Sequence, residues 1–361
     1  MTEEQQYVRK GVTGAHDGMA APQRKTFRKK KSVLPDLNVM VDGIVNGSVK
    51  ELAKAITFIE SNAADHYKYG QDLLQKLLSH TGNAIRIGIT GVPGAGKSTF
   101  IESFGMMLCD AGYRVAVLTI DPSSSLSGGS ILGDKTRMEQ LAKHPNAFIR
   151  PSPSGGTLGG VHRKTRETLA LCEAAGYDVV LIETVGVGQS EFIVRSMVDF
   201  FMLLALTGAG DELQGMKKGI MELVDAVVVN KADGANKSLA EKTKREYNQI
   251  LHVLQPATKG WESKAYTCSA LKNEGIDMIW TMIKEFRQVT EKSGVLIERR
   301  RFQTKEWLHT LIMEKLKNQF YRHPYVKEQI GQLEQDAMNG DIPPSQAAEQ
   351  LFKQVYGTET I

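Results

Sequence analysis

The chain has 361 residues, of which 41% are hydrophobic and 24% charged, and its formal net charge is +4. That composition suits a folded protein of one or two domains, and the small excess of positive charge does not point to nucleic acid. The three cysteines, at 109, 172 and 268, are too few and too scattered for a disulfide framework or a zinc site, so a reducing compartment, the cytoplasm, is expected. No run approaches the roughly 18 apolar residues of a membrane span, which excludes membrane insertion.

Residues 1–32 read as a flexible basic tail that ends in Arg24, Lys25, Arg28, Lys29, Lys30 and Lys31. Glu3, Glu4 and Asp17 argue against a transit peptide, and no apolar h-region marks a secretion signal. A solvated tail is the simplest reading. From 33 to 82 the pattern is helical. Val49, Leu52, Ala53, Ile56 and Ile59 recur at spacings of three and four, as do Leu73, Leu74, Leu77 and Leu78, before Thr81-Gly82-Asn83 breaks the run.

Residues 83–295 alternate between strand and helix. Candidate strands are Ile85–Thr90, Val115–Ile120, Phe148–Arg150, Val179–Glu183, Phe200–Leu206, Ala226–Asn230 and Ala265–Cys268. Several are apolar throughout, as strands covered on both faces must be. The expectation is an α/β fold with a mainly parallel sheet. From 296 to 361 the strand signal is lost. Leu308, Ile312, Leu316 and Phe320 repeat every four residues, and Pro343-Pro344 precedes a last helix over about Ser345–Tyr356. The first of these helices is expected to expose its apolar stripe to a second copy of the chain.

The first predicted strand runs into Gly91-Val92-Pro93-Gly94-Ala95-Gly96-Lys97-Ser98-Thr99, which fits the phosphate-binding pattern G-x-x-x-x-G-K-[ST]. Its glycines let backbone N–H groups wrap phosphate oxygens, and the following helix adds its positive end. Lys97 should reach the β- and γ-phosphates, and the Ser98 hydroxyl should bind Mg²⁺. The strand at 226 ends in Asn230-Lys231-Ala232-Asp233, an N-K-x-D tetrapeptide. The Asp233 carboxylate can accept from N1–H and the 2-amino group of guanine, and adenine would leave it unpaired. The stem of Lys231 can cover the purine face. Ser269-Ala270-Leu271, after the last strand, is a third base contact of the kind G proteins use. GTP and GDP, not ATP, are therefore the expected ligands.

Glu183-Thr184-Val185-Gly186 has the form of the D-x-x-G element of GTPases with Glu in place of Asp. Gly186 can sense the γ-phosphate, and Glu183 can hold Mg²⁺ directly or through water. Asp121, at another predicted strand end, and Asp134, after a Ser/Gly-rich loop, are further acids at the edge where ligands bind. Val187 occupies the position at which many small GTPases carry a water-orienting Gln, and Gln189 lies two residues on. Slow intrinsic hydrolysis is expected.

The phosphate loop, Thr119-Ile120-Asp121-Pro122-Ser123-Ser124, Gly133-Asp134-Lys135-Thr136-Arg137-Met138 and Glu183-Thr184-Val185-Gly186-Val187-Gly188-Gln189-Ser190 together resemble the MeaB/ArgK family over about 36–340. The family consists of G3E-type P-loop GTPases associated with adenosylcobalamin-dependent methylmalonyl-CoA mutase, some of them labelled LAO/AO transport ATPases. The resemblance implies a SIMIBI-type G domain with an N-terminal helical extension and a C-terminal dimerisation arm. It implies a GTP-driven chaperone that gates cofactor loading and protects or reactivates a B12-dependent acyl-CoA mutase. It implies that Ser98, Asp121, Asp134 and Glu183 form the Mg²⁺ and water shell. It also implies a further switch at 210–218, in which Asp211, Gln214 and Lys217 act with Lys97 and Glu183, and in which Lys217 pairs with an acid such as Glu183. Two alternatives fit the residues less well. A metal-inserting GTPase needs Cys/His clusters that this sequence lacks, and a nucleotide-binding regulator of basic amino-acid transport would not need the intact Lys97, Ser98 and acidic set.

Overall fold

The computed structural model describes residues 34–120, 137–152, 158–184, 190–207 and 218–357. Its helices are α1 (Leu37–Val45), α2 (Val49–Glu60), α3 (Ala64–Leu77), α4 (Lys97–Asp110), α5 (Glu139–Lys143), α6 (Leu158–Ala174), α7 (Ser190–Arg195), α8 (Lys218–Met221), α9 (Lys237–Val253), α10 (Ile276–Lys292), α11 (Val295–Arg322), α12 (Pro324–Asn339) and α13 (Pro344–Tyr356). Its strands are β1 (Ile85–Gly91), β2 (Val115–Ile120), β3 (Ala147–Ser152), β4 (Val179–Thr184), β5 (Phe200–Ala205), β6 (Ala226–Val229) and β7 (Lys264–Thr267). All seven predicted strands are present, each within a few residues of its expected limits.

The strands form one sheet in the order β3-β2-β4-β1-β5-β6-β7, with every neighbouring pair parallel. β1 lies at the centre, with Ile89 beside Glu183 of β4 on one side and Met202 of β5 on the other. β2, β4, β5 and β6 are buried along their whole length, which is why their sequences read as unbroken apolar runs. One face of the sheet packs on α4 and α10 through Phe100, Phe104, Ile279, Ile283 and Phe286.

The N-terminal helical stretch is divided by two breaks. Asp36 and Ser48 cap α1 and α2 by accepting from amides of the first turn. α2 and α3 pack on α6 of the G-domain-like sheet, where Arg86 of β1 forms a two-pronged contact with Glu173 of α6 at 2.8 and 2.9 Å.

At the N-terminal edge of the sheet, the buried carboxylates of Asp199 and Asp225 hold the root of α11. Arg300 donates to both oxygens of Asp199 at 2.7 and 2.6 Å and to the Ala84 carbonyl at 2.7 Å. Arg299 donates to the Asp199 carbonyl and to Thr258, which itself binds Asp225. Gln303 donates to the carbonyls of Val198, at 2.8 Å, and Arg195, at 3.3 Å, just beyond α7 and at its end. From Thr304 to Gln319 the same helix has no buried residue. Leu308, Ile312 and Leu316 are 56, 45 and 47% exposed. Phe320 departs from the expected stripe. It is buried with Val326 and Leu351, and its ring stacks on Phe352 at 4.4 Å, so the last turn of α11 belongs to a small core shared with α12 and α13.

Candidate nucleotide site

The phosphate loop leaves β1 at Gly91 and enters α4 at Lys97. Gly91 (φ 154°) passes so close to β5 that a Cβ there would lie 2.3 Å from the Leu204 carbonyl oxygen. Gly96 (φ 83°) turns the chain into α4, and a Cβ there would lie 2.7 Å from Nδ2 of Asn230. Both positions need glycine for conformation and for space. Between them, the Ala95 amide donates to the Val92 carbonyl at 3.1 Å and closes the turn.

Lys97 is buried, and its Nζ donates to the carbonyls of Gly91 at 2.8 Å and Val92 at 3.2 Å. Burial lowers its pKa from the ordinary value; the Glu183 charge opposes that shift and Arg137 adds to it. Ser98, in the first turn of α4, donates to Glu183 Oε1 at 3.4 Å. Glu183 is buried at the C-terminal end of β4, and the next residue, Thr184, donates to Thr90 of β1 at 2.9 Å. Lys97, Ser98 and Glu183 are thus brought together above the centre of the sheet, where parallel α/β proteins place their ligands. A loop shaped to leave no room for two Cβ atoms, a buried ammonium and a hydroxyl facing a carboxylate fit a triphosphate with its divalent cation.

The N-K-x-D and Ser-Ala-Leu segments lie beside this loop. Asn230 follows β6 and is fully buried. Its Nδ2 donates to the Ala95 carbonyl at 2.9 Å, and its Oδ1 accepts from the Ala270 amide at 3.1 Å and from Cys268 Sγ at 3.5 Å. One side chain therefore joins the phosphate loop to the 268–270 segment. Lys231 takes a left-handed conformation (φ 59°), uncommon for a residue with a side chain. Asp233 precedes a short 3-10 turn without capping it, and accepts instead from the hydroxyl of Ser269. The 269–275 turn is closed by a reciprocal Ser269–Glu274 backbone pair and by Gly275 (φ 75°). Leu271, at its tip, is exposed.

Thr99 and Ser103 of α4, with Ala270, Leu271 and Ile276, line a cleft of about 530 Å³ beside the 269–275 turn. Ser103 was not singled out by its sequence. Its hydroxyl donates to the Ala270 carbonyl at 2.6 Å, a contact between residues 167 apart that no local pattern announces. Asp121, Asp134, Gly186, Val187, Gln189, Asp211, Gln214 and Lys217 lie outside the described residues. Cys109, Cys172 and Cys268 are separately buried, and among the described residues no group of three or more His, Cys, Asp or Glu could hold a metal ion. No helix among the described residues is long and apolar enough to cross a membrane.

The sequence model of a family described as methylmalonyl Co-A mutase-associated GTPase MeaB matches residues 52–324. A putative GTPase of Caulobacter vibrioides is 52% identical over 317 residues, which cover 88% of this chain and 97% of that protein. The mitochondrial methylmalonic aciduria type A homolog of Mus musculus is 46% identical, over 86% of this chain and 77% of its own. The crystal structure of an LAO/AO transport system kinase superposes with a TM-score of 0.73 at 37% identity, covering 90% of this chain and 99% of that one.

Proposed function

This chain belongs to the MeaB family of P-loop GTPases, and from that premise we propose that it binds and slowly hydrolyses GTP to control the loading of adenosylcobalamin into a B12-dependent acyl-CoA mutase, which it also protects or reactivates. The observation that carries the nucleotide part is the Asn230 link. The phosphate loop and the N-K-x-D and Ser-Ala-Leu segments are held as one body by its contacts to Ala95 and Ala270. The mutase part is supported by the family's description and by the name of the mouse relative. The long coverage of each relative favours one shared activity.

In this reading the amides of residues 91–99 cradle the phosphates. Lys97 exchanges its two carbonyl partners for phosphate oxygens and stabilises charge that grows as the γ-phosphoryl leaves. Water attacks the γ-phosphorus, the bond to the β–γ bridging oxygen breaks, and GDP and phosphate are the products. Mg²⁺ would be held by Ser98 and Glu183, with Asp121 and Asp134 completing the shell, and would neutralise the β- and γ-oxygens. Asp233 reads the guanine N1–H and 2-amino group, and Lys231 covers the ring. Gly186 reports the γ-phosphate, and Asp211, Gln214 and Lys217 form the switch that the partner reads. α11 pairs with its copy in a homodimer, and the protein works in the cytoplasm.

The test has two arms. Titration calorimetry of the full chain with GDP, GTP and ATP should show guanine nucleotides binding at least 100-fold tighter. Equal GTP and ATP affinity sinks the nucleotide reading. Size-exclusion with a methylmalonyl-CoA mutase should show a complex whose stability depends on the nucleotide and GTP turnover that rises in it. Turnover that stays unchanged sinks the mutase reading alone.

A further inference from the structure

The base-reading turn is anchored from two directions. The Ala270 amide donates to Asn230 Oδ1 at 3.1 Å, and the Ala270 carbonyl accepts from Ser103 Oγ at 2.6 Å. Ser103 lies on α4, less than two turns after Lys97, so its position is fixed by the same helix that begins in the phosphate loop. That helix is buried through Phe100, Ile101, Phe104 and Leu108 and gives Ser103 a rigid base. Ser269, by contrast, has its own supports. It exchanges backbone bonds with Glu274, and its hydroxyl binds Asp233 and accepts from the Lys272 amide at 3.2 Å.

The two halves of base recognition therefore have separate foundations. Asp233, which faces the N1–H and 2-amino edge of guanine, rests on Ser269. The Ala270 and Lys272 amides are engaged within the fold; the Leu271 amide at the tip, the donor offered to the 6-oxo group, belongs to the same peptide as the Ala270 carbonyl. A hydroxyl fixed on α4 sets the tilt of that peptide, and a tilt of the Ala270–Leu271 peptide aims the tip donor toward or away from the base.

We propose that Ser103 is a positioning residue for guanine recognition, holding the Ala270 carbonyl so that the tip of the 269–275 turn is aimed at the 6-oxo group. This rests on the reading of the site as a guanine-nucleotide site. It assigns to the phosphate-loop helix a part in base specificity that Asn230 and Asp233 alone do not account for.

The experiment compares GTP with two analogues in the full-length protein. Inosine triphosphate lacks only the 2-amino group, and 6-thioguanosine triphosphate replaces only the 6-oxygen with a poorer acceptor. Ser103→Ala should weaken GTP by about 2- to 10-fold, the range expected for one hydrogen bond. It should shrink the preference for GTP over the 6-thio analogue by a similar factor and leave the preference over inosine triphosphate unchanged. Ser103→Thr, which keeps a hydroxyl, should restore both values. A GTP to 6-thio ratio that stays at the wild-type value in Ser103→Ala overturns the proposal, as does an equal loss for all three nucleotides. Should Ser103→Ala fail to fold, Ser103→Thr against Ser103→Val gives the same comparison with matched shape. A wild type that prefers GTP over neither analogue refutes the guanine reading itself, a failure visible before any variant is made.

Discussion

Replacing Asn230 by Ala tests whether phosphate loop and base-reading turn stand as one unit. The change removes the donor to the Ala95 carbonyl and the acceptor for the Ala270 amide, together with a weak contact from Cys268. Both stranded backbone groups belong to the buried surroundings of the side chain. Each costs about 1–3 kcal/mol when left unpaired. Relaxation lets some of that be recovered, so a total of about 2–4 kcal/mol is expected, divided between folding stability and nucleotide affinity. Asn230→Asp sharpens the test. It keeps the acceptor but puts an oxygen where Nδ2 stands, 2.9 Å from the Ala95 oxygen, so it should be at least as damaging as Ala despite its matching shape. Urea unfolding without nucleotide measures the stability share, and GDP calorimetry measures the affinity share. A summed loss under about 0.5 kcal/mol in Asn230→Ala, or an Asp variant that behaves like wild type, would refute the reasoning.

Three other outcomes are expected. Asp199→Ala leaves the half-buried Arg300 without its carboxylate and the Arg86 amide without its acceptor, and should lower stability by about 2–4 kcal/mol, with urea unfolding as the readout; a loss under about 1 kcal/mol contradicts the role given to this pair. Burial raises the pKa of Glu167 above its ordinary 4.5, against Arg163, the Gln71 hydrogen bond and Lys164, which lower it. Its folded form holds the proton more tightly, so its contribution is present below 4.5 and is lost as pH rises through the folded value. Glu167→Gln, which still accepts from Gln71, should therefore be the more stable protein at pH 7, with the gap closing as pH falls toward 4.5; a gap independent of pH contradicts this. The pair Ile312→Asp and Leu316→Asp should halve the mass seen by light scattering while GDP binding survives, and a wild type that runs at its monomer mass of 39.8 kDa at micromolar concentration rules out the dimer.

The sheet was legible because its strands are covered on both faces. Val179–Ile182, Phe200–Leu204 and Ala226–Val229 are apolar runs that no surface strand could carry. The phosphate loop and the N-K-x-D segment were legible because their chemistry depends on residue types at fixed spacing. Contacts across the fold were not. Ser103, Arg299, Arg300 and Gln303 look in sequence like any solvated side chains of helices, and only the sheet edge and turn they meet reveal their use. Asp199 was visible only as a charge interrupting an apolar stretch. Phe320 fell in step with Leu308, Ile312 and Leu316, but periodicity records the face of a helix and says nothing of where along that face a neighbour begins. Asn46-Gly47-Ser48 divides a continuous helical pattern through the left-handed Gly47, a break that apolar spacing alone does not contain.

The root of α11 has a mechanical meaning. The helix is gripped over its first turns, up to Gln303, whose amide holds the carbonyls of Arg195 and Val198 at the end of α7. α7 itself begins six residues after Thr184, the last residue of β4 and the neighbour of Glu183. Residues 303–322 extend the helix by about 30 Å beyond that grip. A pivot of about 5° at the fulcrum, no more than packed helices routinely accommodate, sweeps the far end through about 2.6 Å over that length. The small core around Phe320, Val326 and Leu351 rides on that end. A displacement of a few tenths of an ångström at the end of α7, too slight to alter the sheet, would thus arrive at the distal helices as a movement of side-chain dimensions.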